Sequence, residues 1–189
     1  MAKRAIFPVL LGNEHLKGIL GAAVAQDKPG HAYILEGPPG SGRHTAALAA
    51  AAAMSCQSSA DATLPLPCGK CLACRKIAAG VSPDVLFIRR AADRATLGVE
   101  AIRDMREDLY IAPNENRRKV YLIEEAELMT PAAQNALLLS LEEPPPYVVL
   151  FLLTRDAAAL LPTIRSRAPI LRMQLFDAET LASFLGKKR

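Results

Sequence analysis

His31-Ala32-Tyr33-Ile34-Leu35-Glu36-Gly37-Pro38-Pro39-Gly40-Ser41-Gly42-Arg43-His44-Thr45 is the stretch on which the fold turns. A short apolar run at 31–35 stops at a loop of glycines and prolines, and an alanine-rich segment, 45–54, continues with strong helix propensity. Strand, glycine loop and helix in that order place Gly37, Gly40 and Gly42 where backbone N–H groups can converge on phosphate oxygens at a helix N-terminus. In a phosphate-binding loop of this shape a lysine and then a serine or threonine would follow, the lysine reaching the outer phosphates and the hydroxyl ligating magnesium. Arg43 and His44 stand there instead. Arginine is a larger planar fork, and imidazole is a poor ligand for a cation that prefers hard oxygen donors. Thr45 brings a hydroxyl one residue too late. The spacing predicts a loop that keeps its shape and has lost its catalysis; an unrelated glycine turn is the plainer alternative.

Outward from this loop, short apolar runs alternate with helical patterns. Val85-Leu86-Phe87-Ile88 predicts a second buried strand, followed by Val99, Ile102, Met105 and Leu109 at helical spacing. Residues 120–123 predict a third strand. Thr130-Pro131 predicts a capped helix running to about Leu141 and stopped by Pro144-Pro145-Pro146. The long apolar run 147–153 predicts a strand covered on both faces. Such alternation predicts an α/β fold with a parallel sheet flanked by helices. The third strand ends in Glu124-Glu125-Ala126-Glu127. In a working ATPase the first acid holds the magnesium and the next polarises the attacking water. The first is normally Asp, and Glu124 is one methylene longer.

The four cysteines, Cys56, Cys68, Cys71 and Cys74, fall within nineteen residues as Cys-x11-Cys-x2-Cys-x2-Cys. In a reducing compartment this predicts a closed structural zinc site of four thiolates. Two disulfides, free thiols or an iron-sulfur cluster are the alternatives. The segment between Cys56 and Cys68 is rich in Ser, Ala and Pro, so the module about 56–74 reads as an insertion between a helix and the next strand.

The chain has 189 residues, roughly 1.3 domains at about 150 residues each. At 51% hydrophobic and 22% charged it has the balance of a globular protein, not a disordered one. Its longest apolar run, 46–54, is about half of the ~20 residues a membrane-spanning helix needs. Lys3 and Arg4 precede a run broken by Pro8, a poor secretory signal, so a cytoplasmic location is expected. A net charge of +4 is mixed with acids. The clusters Arg117-Arg118-Lys119 and Lys187-Lys188-Arg189 read as a solvated loop and a frayed end, and with no Trp there is no aromatic interleaving for stacking bases.

His31-Ala32-Tyr33, the 37–42 loop, the cysteine module, Ser82-Pro83-Asp84, Arg117-Arg118-Lys119-Val120, Glu124-Glu125-Ala126, Asn135-Ala136-Leu137-Leu138 and Leu141-Glu142-Glu143-Pro144-Pro145 are together similar to bacterial DNA polymerase III clamp-loader subunits. Thr163-Ile164-Arg165-Ser166-Arg167 resembles the family's Ser-Arg-Cys motif, with Ala168 in place of cysteine. The resemblance covers residues 7–175, and the departures at Arg43, His44 and Glu124 point within the family to the delta-prime branch.

The resemblance implies an AAA+ nucleotide-binding-like domain over 1–172 and, from 173 to 189, the first helix of a truncated lid domain, with the helical reading at 177–185. It implies a non-hydrolysing subunit that joins gamma/tau and delta subunits in placing a sliding clamp on primed DNA. Arg167 would be an arginine finger inserted into a neighbour's ATP site, and Thr154 the sensor position. Structural zinc is the expected cofactor, and ATP with magnesium is not expected in the chain's own site. A hydrolysing gamma/tau-like motor and a zinc-containing DNA-binding module stand as alternatives. Without a collar the chain is expected to be monomeric alone.

Overall fold

A computed structural model describes residues 4–61 and 63–186. The elements run α1 (Glu14–Ala25), β1 (Ala32–Glu36), α2 (Arg43–Met54), α3 (Leu72–Ala78), β2 (Val85–Ile88), α4 (Val99–Leu109), β3 (Lys119–Ile123), α5 (Pro131–Glu142), β4 (Val148–Thr154), α6 (Pro162–Arg165), β5 (Ile170–Arg172) and α7 (Ala178–Gly186). The five strands form one parallel sheet in the order β2-β3-β4-β1-β5. The four expected strands are present, each within a residue or so of its predicted bounds, and α2 begins two residues before the expected Thr45.

Both faces of the sheet are covered, which is why its central strands read as continuous apolar runs. All seven residues of β4 are buried. Alternate side chains divide between two cores: Leu35, Leu122, Phe151 and Leu153 pack under α1 and α2, while Ile34, Ile123, Leu150 and Leu152 pack under α4 and α5. Tyr33 stacks on Phe151 across neighbouring strands, with ring centroids 5.4 Å apart. Thr130 caps α5 as expected, its side chain accepting from Ala133 N–H at 3.2 Å with Pro131 in the first turn.

The solvated-loop reading of Arg117-Arg118-Lys119 is corrected in part. Lys119 is buried, and its Nζ reaches the Asp108 carboxylate at 2.9 Å and the Asp108 and Ile111 carbonyls at 2.8 and 3.1 Å. It therefore caps the C-terminal end of α4, where exposed carbonyls attract a cation. Arg118 is pinned to the Pro146 carbonyl at 2.6 Å and to Asp27. The cluster at 187–189 lies outside the described residues.

A second buried charge holds the loop before β3. Asp84 has no exposed surface, and its carboxylate accepts from the N–H groups of Asn114, Glu115 and Asn116 at 2.6, 2.8 and 2.8 Å. Replacing it leaves three backbone N–H groups without their acceptor. Asp84→Ala is expected to lower unfolding stability by about 2–4 kcal/mol, measured by denaturant titration; a change below the experimental scatter would show that the loop finds other acceptors.

Candidate nucleotide site and candidate metal centre

The 37–42 loop leaves the C-terminal end of β1 and enters α2, as its sequence predicts. Gly40 and Gly42 have φ of +80° and +87°, a left-handed backbone that L side chains resist. At Gly37 an added Cβ would lie 2.7 Å from Ser41 Oγ and 2.9 Å from Met173 Cβ. The shape of a phosphate cradle is therefore present.

The side chains around it face one another. Glu124 Oε1, at the position of the metal-holding acid, is 3.4 Å from His44 Nε2 and 2.9 Å from Arg89 Nη2. His44 stacks on Phe87, with centroids 5.6 Å apart, and the Arg89 guanidinium lies 4.7 Å from the same ring. The two residues that would share a magnesium ion thus approach each other directly. Glu125, which would orient water, is bound to Arg90 Nε at 2.9 Å and stands 3.8 Å from Arg155, while Glu127 meets Arg155 at 3.4 Å. Burial pushes the Arg43 pKa down, against the pull of Glu127, and its Nη1 is buried without a hydrogen-bond partner.

Thr45 lines an apolar hollow with Leu48 and Ala49, and Glu124 does not line that hollow. Thr154 is buried, and its hydroxyl is engaged with Asp156, donating to the carbonyl at 2.9 Å and accepting from the N–H at 3.2 Å. The structure thus brings Arg43, His44, Glu124 and Glu125 together and leaves Thr45 out. It adds Arg89, Arg90 and Arg155, which the sequence reading missed. A signal for the first two existed: they follow directly after β2, and the register Ile88↔Ile123 sets Arg89 level with Glu124 and Arg90 level with Glu125.

Arg167 lies at the opposite end of the sheet. It precedes β5, which runs parallel to β1 with Arg172 beside Glu36, so it stands at the strand-entry end of the sheet, away from the glycine loop. Its guanidinium donates to Glu142 Oε1 at 3.0 Å and to the Thr163 carbonyl at 3.1 Å.

The cysteines converge as expected. Their four sulfurs lie within 4.8 Å of one another, and Cys56, Cys68 and Cys74 are buried. Thiolates about 2.3 Å from zinc in a tetrahedron would be about 3.8 Å apart, and Cys68 Sγ and Cys74 Sγ stand 3.9 Å apart. The N–H groups of Cys71 and Cys74 donate to Cys68 Sγ and Cys71 Sγ at 3.4 and 3.5 Å, orienting sulfurs toward a common centre. Burial works against the Cys68 thiolate, but the N–H groups of Cys71 and Lys70 together with hydrogen bonds from the Cys56 and Cys71 side chains bring the pKa down to about 6. Burial pushes Cys56 and Cys74 up, so the full set of thiolates requires a bound cation. The donor set fits zinc.

Residues 12–177 match the family model described as DNA polymerase III, delta subunit. The chain belongs to that family. It is 37% identical over 177 residues to the DNA polymerase III subunit tau of Bacillus subtilis, covering 94% of this chain and 30% of the relative. Against the gamma subunit of Buchnera aphidicola (Schizaphis graminum) the figures are 33% over 179 residues, with 95% and 48% covered. Among solved structures, a DNA polymerase III gamma-subunit-related protein of Thermotoga maritima superposes with a TM-score of 0.60 at 24% identity, covering 87% of this chain and 47% of that one. The RuvB Holliday junction branch migration motor of the same organism gives 0.55 at 19%, with 94% and 50% covered. These two likenesses establish the fold, a parallel α/β sheet flanked by helices. The chain spans about a third to a half of the length of these curated relatives. This member of the DNA polymerase III delta-subunit family carries the glycine loop, the cysteine module and Arg167 inside the matched residues. No helix among the described residues is long and apolar enough to cross a membrane.

Purified chain is expected to carry one zinc per molecule and no visible chromophore. Removing the metal with a chelator is expected to lower Tm by roughly 10 °C or more, and Cys74→Ser to abolish stoichiometric binding. Metal analysis and calorimetry check this; full stability without zinc would leave the cluster as four packed thiols.

Proposed function

We propose that this chain serves as the non-hydrolysing, delta-prime-type subunit of a DNA polymerase III clamp loader, lending Arg167 to a neighbouring ATPase subunit. The observation that carries the reading is the contact of His44 and Arg89 with the same oxygen of Glu124. An imidazole and a guanidinium stand where a hydroxyl and a magnesium ion would have to stand. With Arg43 in place of the lysine, the side chains that would bind Mg-ATP are altered or engaged, while the backbone cradle of the glycine loop keeps its shape.

Arg167 fits a role in trans because it projects from the opposite end of the sheet and does not reach its own loop. A guanidinium supplied from outside stabilises charge developing on the transferred phosphoryl group. In this reading residues 1–172 form the nucleotide-binding-like domain and α7 begins a lid. The partners are gamma/tau and delta subunits, with the sliding clamp and primed DNA reached through the assembly. A second reading, a hydrolysing gamma/tau-like motor, is favoured by the gamma and tau names of the relatives. A zinc module binding DNA by itself has little support from Arg117-Arg118-Lys119, since two of the three side chains are engaged internally.

Titration calorimetry separates the first two readings. No heat of Mg-ATP binding up to about millimolar concentration and no phosphate release are expected; micromolar binding with turnover would establish the motor. In a reconstituted loader, Arg167→Ala is expected to slow hydrolysis at the adjoining site by about 10³-fold or more, read as loss of that site's share of single-turnover phosphate release.

A further inference from the structure

The arginine proposed as a finger is not free. Its Nη2 donates to Glu142 Oε1 at 3.0 Å and its Nη1 to the Thr163 carbonyl at 3.1 Å, while about a third of the side chain stays exposed. Both anchors are rigidly placed. Glu142 is the last residue of α5, whose path is ended by Pro144-Pro145-Pro146, and Thr163 lies in the single turn of α6. A carboxylate at the C-terminal end of a helix sits where the exposed carbonyls already make the potential negative. Arg167 relieves that repulsion, so Glu142 and α5 together form the counter-charge for the guanidinium.

We infer that Glu142 is a positioning residue that parks Arg167 against the end of α5, and that this contact must be given up when the guanidinium turns to the triphosphate of a neighbouring subunit. The inference rests on the reading of Arg167 as a finger and concerns its regulation. Glu142 and the phosphates compete for the same face of one guanidinium. A part-exposed pair is weak enough to be displaced by a multiply charged anion and strong enough to set the nucleotide concentration at which displacement occurs. The parked state keeps the finger from binding stray anions on the unassembled subunit, and it makes engagement depend on the neighbour holding a nucleotide.

The test is the ATP dependence of hydrolysis by a loader reconstituted with Glu142→Gln. Removing the counter-charge while keeping the shape is expected to lower the half-saturating ATP concentration by about two- to five-fold, with the maximal rate changed far less. Glu142→Asp is expected to restore the wild-type value. In an Arg167→Ala background, Glu142→Gln is expected to have no further effect, because the coupling runs through that one side chain. An unchanged or higher half-saturating concentration with Glu142→Gln, while Arg167→Ala still abolishes turnover at that site, overturns parking and leaves the finger standing. Persistence of the Glu142→Gln effect without Arg167 also overturns it. Wild-type turnover with Arg167→Ala removes the finger itself, and parking with it.

Discussion

Parallel pairing is the constraint from which the rest follows. Two parallel strands cannot be joined by a tight turn, so each connection in this chain crosses a face of the sheet, and all five strands start at one end and finish at the other. Every loop that leaves a strand therefore gathers at one edge. The glycine loop after β1, Arg89 and Arg90 after β2, the acids after β3 and Arg155 after β4 meet there although they are far apart in sequence. Everything that enters a strand gathers at the other edge, and that is where the end of α5 and Arg167 lie. One topological fact thus separates the chain's own glycine loop from the arginine it could offer to another.

What decides the chemistry at the first edge is the identity of the ligands more than the strength of the ion pairs. Arg89, Arg90 and Arg155 face Glu124, Glu125 and Glu127, and most of these side chains keep substantial exposure. Exposed pairs contribute about 0–1 kcal/mol each, so a tightly bound Mg-ATP could displace them. It could not recover a magnesium ligand from His44, nor a compact ammonium from Arg43. In the proposed reading the acids hold no metal, and the arginines neutralise them in the space an ion would take.

The parts legible in the sequence were those fixed by local pattern. The runs at 85–88 and 147–153, the Thr130-Pro131 cap, the glycines at positive φ and the Cys-x2-Cys spacing each carry their structural reason within a few residues. The parts that escaped depend on register between distant segments. Lys119 reads as a third basic residue in a loop until β3 is paired and its side chain is seen to run under α4. Arg89 and Arg90 look like a solvated pair until β2 is set beside β3. The strand β5 has only three residues, directly follows Pro169 and pairs along one edge, too short a run for alternation to mark. Glu142 belonged to a motif, but nothing near it in sequence shows that its carboxylate meets a side chain 25 positions later.

The cysteine module can be understood from the helix it covers. Seven of the twelve residues of α2 are buried alanines, Ala46, Ala47, Ala49, Ala50, Ala51, Ala52 and Ala53, so the helix is enclosed on nearly every side by neighbours that approach closely. Alanine gains little from such enclosure, since each methyl offers only about 0.8 kcal/mol of transfer free energy. A helix of this composition at the surface would need no cover, and a cover built only of loops would have little apolar area to hold it down. The module supplies the missing attachment. Cys56 leaves the end of α2, and Cys74, on α3, approaches the Ala52 carbonyl with its sulfur at 3.8 Å. A metal joining the two would clamp α3 onto the alanine face by coordination, where side-chain volume is too small to do it. The same helix carries Arg43 and His44 at its N-terminus, so a clamp at one end would also fix the direction in which the glycine loop presents itself at the other.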